Sequence, residues 1–132
     1  MKPKGDFEPW VYKAEEDYRT AVTMVRKRKG GAPDVVCFCS HQCIEKYLKA
    51  FLVLHRIPFR KIHVLDALLD LAVTCDPLLE VIRRNVVKLN PYAVRVRYPG
   101  DEATIGEARD AVVLMKRLRA FLREKLELPK QT

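Results

Sequence analysis

The sequence predicts an all-α fold, an antiparallel up-and-down bundle of four to five helices forming a single domain over residues 1–132, with its core at about 7–126. Three observations predict it. Apolar residues recur at three- and four-residue intervals through most of the chain. No stretch keeps the period-two alternation from which a sheet would be built. The periodic stretches are divided by short breaks marked with Gly and Pro, the connections of a helical bundle.

From Phe7 to about Lys29, residues Trp10, Val11, Ala14, Tyr18, Ala21, Val22 and Val25 share one helical face, and Gly30-Gly31 ends the run. A second helix opens at Pro33-Asp34 and carries Phe38, Cys39, Ile44, Tyr47, Leu48, Phe51 and Leu52 to about Arg56, before Pro58. After a basic loop, Val64 to Thr74 forms a short helix with Leu65, Leu68, Leu69 and Ala72 as its inner stripe. Asp76-Pro77 begins a fourth helix, in which Asp76 caps free amides and Pro77 suits the first turn. This helix turns Leu78, Leu79, Ile82, Val86 and Leu89 inward and stops at Asn90-Pro91. The last runs from about Thr104 to Leu126, with Ile105, Ala108, Ala111, Val112, Met115, Leu118, Phe121 and Leu122 on one side.

With 132 residues, 48% hydrophobic and 32% charged, the chain is of ordinary globular composition. Its length suffices to bury roughly two-thirds of the surface exposed when unfolded. Charges break every apolar run well short of a bilayer's thickness, and Met-Lys-Pro-Lys-Gly-Asp has no apolar signal core, so a cytoplasmic protein with no membrane contact is expected. The 25 basic residues against 17 acidic ones leave a net charge of +8, which favours encounters with nucleic acid, nucleotides or an acidic protein. Much of the excess sits in Arg26-Lys27-Arg28-Lys29 and along the last helix, where a solvated face competes evenly with a binding surface.

The four cysteines, at 37, 39, 43 and 75, have neither the spread of a disulfide framework nor the paired spacing of a zinc site. Buried free thiols are expected, a metal role shared with His41 or His63 being the lesser alternative. No cofactor is expected.

Asn90-Pro91-Tyr92-Ala93-Val94-Arg95-Val96-Arg97-Tyr98-Pro99 is too polar for core and too aromatic for a plain linker. Arg95 and Arg97 suit a phosphate, and Tyr92 or Tyr98 can stack on a base. In the competing structural role, Arg97 pairs with a carboxylate such as Glu45 while Tyr98 packs. On the second helix Gln42, Glu45 and Lys49 share a face beside the apolar stripe, so they form either a hydrogen-bonded network, the favoured alternative, or the wall of a pocket. His63, among Arg60 and Lys61, is a candidate for proton transfer against the commoner role of a helix-entry hydrogen-bonding residue.

The Gln42-x-x-Glu45-Lys46-x-x-Lys49-Ala50 pattern, Trp10 and Ala14 before it, His63 leading the third helix and Arg97-Tyr98-Pro99 before the last together resemble the HEPN domain family over about Phe7 to Leu126. The resemblance implies a small helical bundle, commonly a homodimer, that works beside a minimal nucleotidyltransferase in a two-component, toxin–antitoxin-like system. It also implies a nucleotide or RNA ligand. Many such toxins are metal-independent ribonucleases that use Arg followed after four to six residues by His, the Arg stabilising phosphate charge and the His moving a proton.

Here Arg95 and Arg97 occupy the matching region, but no histidine follows His63, and the literal match of Arg56 with His63 brackets a loop containing Pro58. A weakly catalytic or non-catalytic HEPN subunit is therefore expected, with Arg95, Arg97, Tyr98, Tyr92, Lys49, Gln42 and Glu45 as candidate binding residues. The alternatives are a ribonuclease toxin in which Arg97 residues paired across a dimer cleave RNA with His63 or with no histidine, and a non-catalytic protein-interaction module; separately, the resemblance makes Tyr98 or Tyr92 a candidate acceptor of nucleotidyl groups from the partner enzyme.

Overall fold

The computed structural model describes residues 5–94 and 98–130. It is all helical: α1 (Glu8–Val25), α2 (Pro33–Leu54), α3 (Leu65–Cys75), a 3-10 turn (Pro77–Ile82) leading into α4 (Arg83–Leu89), a second 3-10 turn (Asn90–Tyr92) and α5 (Ile105–Lys125). No described helix is long and apolar enough to cross a membrane.

The bundle is organised around α2, most of whose 22 residues are buried. It packs against α1, α5 and α3 in decreasing extent. The antiparallel α1–α2 pair is closed at one end by the Gly5 amide, which donates to the Leu54 carbonyl at 3.1 Å. A Cβ on Gly5 would meet the Val53 carbonyl oxygen at 1.9 Å, so only glycine permits that approach. At the opposite end the Ala103 amide donates to Asp34 Oδ1 at 2.7 Å, bringing the start of α5 beside the start of α2. Because α5 finishes beside Tyr47, α2 and α5 run side by side in the same direction and α1 runs against both. The short helices α3 and α4 supply the crossover that this arrangement requires.

The core is one apolar cluster, with Ile44, Tyr47, Leu48, Phe51, Leu65, Leu69, Leu89 and Met115 among its fully covered side chains. Cys37, Cys39 and Cys43 lie within it as thiols outside any disulfide, and Cys75 is exposed. Burial pushes the Cys43 thiol well above its ordinary range.

Three local features depart from the sequence pattern. α1 stops at Val25 instead of Lys29, because the residues after Val25 are basic and have no apolar face to bury. The turn then closes on Gly31, whose missing Cβ would sit 3.0 Å from the Met24 carbonyl oxygen. The segment expected as one helix from Asp76 is wound as a 3-10 turn before α4. Asp76 does cap it, accepting the Leu78 amide at 3.0 Å. At three residues per turn, Leu79 and Ile82 align inward, while Leu78 and Val81 align on the other side at 71% and 74% exposure, so Leu78 is not a core residue. Ile105, expected on the inner side of the last helix, is exposed in its first turn. That turn is set by a capping box in which the Glu107 amide donates to Thr104 Oγ1 at 3.0 Å and the Thr104 amide to Glu107 Oε1 at 3.1 Å.

Candidate functional site

Helical spacing brings Glu45 and Lys49 together on α2, and the loop before α3 adds His63. Glu45 is 2% exposed and Lys49 5%. Lys49 Nζ donates to Glu45 Oε2 at 3.1 Å, and His63 Nδ1 lies 3.0 Å from Glu45 Oε1, so each carboxylate oxygen already has a partner. A carboxylate only accepts, so Nδ1 carries the proton of that bond and the exposed imidazole keeps Nε2 for other partners. The Lys49 ammonium is also covered by aromatic faces, 5.5 Å from the Trp10 ring centroid and 5.9 Å from that of Phe59. Trp10 and Phe59 meet edge to face at 6.0 Å.

Gln42 turns from this pair to the neighbouring residue, its Nε2 donating to His41 Nδ1 at 3.2 Å. That bond assigns the His41 proton to Nε2, which is buried near the His63 backbone but meets no acceptor in hydrogen-bond geometry among the described residues. Burial pushes the His41 pKa down, against the opposing pull of the Glu45 charge, and keeps the ring neutral. The polar row of α2 is thus a hydrogen-bonded network, with Gln42 joined to His41 and Glu45 to Lys49 and His63.

The connection from α4 to α5 carries the remaining candidates. Tyr92 is half-buried and its hydroxyl donates to Glu107 Oε2 at 3.3 Å, anchoring the first end of the connection to α5. Tyr98 is 82% exposed. A turn follows it, with the Asp101 amide donating to the Tyr98 carbonyl at 3.0 Å and Gly100 taking φ +97°, a left-handed conformation that suits glycine. Arg95 and Arg97 lie outside the described residues.

A second polar cluster joins α1, α2 and α5, and the sequence pattern did not single it out. Arg119 donates from Nε and Nη2 to the two oxygens of Glu15, at 2.8 and 2.6 Å. Tyr47 also donates its hydroxyl to Glu15. Arg123 Nη1 donates to the Tyr47 oxygen at 3.0 Å, and its Nη2 to the Pro129 carbonyl at 3.1 Å. The Arg119 guanidinium sits 3.9 Å over the Tyr18 ring. Burial pushes the Glu15 carboxyl up, but the Arg119 and Tyr47 hydrogen bonds outweigh it and hold the group below its ordinary value. Burial and the bond to Glu15 push the Tyr47 hydroxyl well up.

Arg119 and Arg123 are each 8% exposed and so leave the solvated face of the last helix, on which Arg109, Lys116 and Arg117 stay exposed. The sequence signal of Arg119 and Arg123 is a four-residue spacing that follows Met115 along the edge of the apolar stripe. Glu15, adjacent to the core residue Ala14, gives no comparable signal, because its partner is 104 residues away.

Two clefts open on the surface, the first of them beside the Glu15–Arg119 cluster. One, of about 710 Å³, lies between the end of α5 and the segment 127–130 and is lined by Arg119, Phe121, Arg123 and Lys130 together with Glu124 and Glu127. The other, of about 270 Å³, lies where the α1–α2 turn meets the start of α5. No group of three or more metal-ligating side chains is gathered among the described residues.

Comparison with known proteins agrees with this architecture. No curated protein matches the chain. The crystal structure of an archaeal HEPN homologue is similar at a TM-score of 0.70 and 25% sequence identity, over 95% of this chain and 98% of that one. The family model described as HEPN domain matches residues 7–126. With the helical order, the crossover before the last helix and that match spanning nearly its whole length, the chain belongs to the HEPN domain family.

Proposed function

We propose that this HEPN domain is a non-catalytic or weakly catalytic subunit that binds the phosphate of a nucleotide or RNA at the connection between α4 and α5. In this reading it works as a homodimer beside a minimal nucleotidyltransferase in a toxin–antitoxin-like pair. The observation that carries the binding function is the exposure of Tyr98, at 82%, in the segment that contains Arg95 and Arg97. A tyrosine that served only to fix the connection would be packed, as Tyr92 is; an open ring in a segment whose sequence holds two arginines offers a stacking face for the base of a ligand whose phosphate the arginines suit.

Calorimetric titration with ATP and a short RNA tests it. Binding should weaken with salt and fall about tenfold in Arg97→Ala, the loss expected for one charge-assisted phosphate contact. Absence of binding to either ligand rejects it. Sedimentation of the pure chain reports the dimer, and co-purification with a minimal nucleotidyltransferase reports the pairing.

One bond favours a second function, metal-independent cleavage of RNA. The Glu45 carboxylate orients His63 through Nδ1, as a proton-transfer histidine is commonly held. Incubation with RNA in chelator separates the two functions: cleavage abolished by His63→Ala supports the nuclease, and intact RNA with the wild type removes it.

A further inference from the structure

The basic run Arg26-Lys27-Arg28-Lys29 follows the end of α1, and all four residues are exposed. None of their side chains has a hydrogen bond or ion pair among the described residues. The favourable field of the α1 C-terminus accounts for Arg26 and weakens within a turn of the helix end. Lys27 and Arg28 instead line the 270 Å³ cleft, whose remaining walls are Met24, Val25, the exposed Ile105 and the turn 30–33, with the buried Val36 and Ala108 beneath. An apolar floor with cations on its rim fits a base or ribose below and phosphates above. No carboxylate lines the cleft.

The bond from the Ala103 amide to Asp34 Oδ1 draws the end of the α4–α5 connection onto the start of α2, directly after this turn. Ile105 and Ala108, the first residues of α5 to line the cleft, are reached only seven and ten residues after Tyr98. Of the acidic side chains between Tyr98 and Ala108, Asp101, Glu102 and Glu107, Glu102 turns back on its own loop and accepts the Gly100 amide at 2.8 Å, and Glu107 closes the capping box of α5.

We propose that the cleft under Lys27 and Arg28 is a second nucleotide subsite continuing from the Tyr98 loop, so that the ligand of this domain is an extended single strand of RNA rather than a lone nucleotide. This rests on the binding function assigned to that loop. The strand stacks on Tyr98 and passes its next phosphates to Lys27 and Arg28, with one base or sugar against Met24, Val25 and Ile105. An acidic peptide would match the charge equally but leaves the apolar floor of Met24, Val25 and Ile105 unused.

The test is fluorescence anisotropy on the full chain with ATP, RNA of about 4 nucleotides and RNA of about 12, lengths that bracket a small single-strand site. The variants are Lys27→Ala/Arg28→Ala and, separately, Tyr98→Ala. The double variant should bind the longer RNA about tenfold more weakly and flatten its salt dependence by about 1.4 in the logarithmic slope, about 0.7 for each lost phosphate contact, while its affinity for ATP is unchanged. Longer-RNA affinity and slope equal to the wild type overturn the subsite. So does polyglutamate of matched charge competing as well as RNA, which would assign the surface to an acidic protein.

The two sites fail separately. If Tyr98→Ala changes nothing while the double variant weakens the longer RNA, the loop function falls and the cleft stands as a strand-binding site by itself. If Tyr98→Ala weakens every ligand while the double variant changes none, the loop stands and the cleft falls.

Discussion

Glu15 of α1 and Arg119 of α5 meet in a two-pronged ion pair at 2.8 and 2.6 Å across 104 residues of sequence. The pair ties together the two helices that flank α2, and Tyr47 from α2 donates to the same carboxylate. Its side chains are only 15% and 10% exposed, so removing one charge strands the other in a poorly hydrated place.

Glu15→Gln should therefore lower unfolding stability by about 3 kcal/mol, the low end for a broken buried pair because the cluster's edge reaches solvent. The double replacement Glu15→Leu/Arg119→Met should recover most of that loss, since apolar packing removes both charges together. Urea unfolding of the three proteins checks both statements, and a double variant weaker than the single one would contradict the electrostatic account.

Acid should act through the same carboxylate. Its folded pKa is held below the ordinary value of 4.5, so its contribution is present above that value and is lost as pH falls through the folded pKa. Asp17 works in the opposite sense: burial raises its pKa despite the bond from Lys46, so its protonation relieves a folded-state cost as pH falls. The informative quantity is the difference between wild type and Glu15→Gln. It should shrink as pH is lowered below about 4.5 in equilibrium unfolding, and a difference that stays constant to low pH would show that Glu15 is not the group responsible.

His41 is a fully covered side chain whose Nε2 meets no acceptor in hydrogen-bond geometry among the described residues. His41→Leu should be neutral or stabilising by about 1 kcal/mol, because it removes the unsatisfied donor and leaves Gln42, which is half-exposed, to water. Chemical denaturation reads this directly; a loss of more than about 2 kcal/mol would mean that the imidazole is held by more than Gln42.

Thr104→Ala removes one side of the capping box at the start of α5 and should cost about 1 kcal/mol. Amide exchange should quicken first at Glu107, whose N–H loses its acceptor. Unchanged protection there would show that the cap does not hold this helix end.

The thiols divide by burial. In the native protein a thiol-specific reagent should modify Cys75 alone and reach Cys37, Cys39 and Cys43 only on unfolding. Rapid native labelling of more than one thiol per chain would show that the α2 face is open.

Helix positions were legible in the sequence because the apolar period is a local property: a stripe such as Leu65, Leu68, Leu69 and Ala72 has one helical way to be buried. The boundaries were less so at Val25 and Leu78, where the outcome depends on what lies opposite. Of the candidate site, the joining of Glu45 with Lys49 follows from four-residue spacing, but the arrival of His63 at the other carboxylate oxygen comes from the loop's path. The joining of Glu15, Tyr47, Arg119 and Arg123 was not legible because their partners lie on different helices, and a charge at the edge of an apolar stripe looks solvated until a third helix covers it.

By itself, then, the sequence determined the all-α class, the order of the helices and the basic, aromatic character of the connection before the last one, since each is written in composition or short-range period. Tertiary structure alone decided that α2 and α5 run side by side, that two arginines of α5 turn inward, and that the Lys27–Arg28 turn meets the start of α5 in a shared cleft. Those are distances between residues far apart in the chain, and a pattern that repeats every 3.6 residues carries no information about which remote side chain will stand opposite.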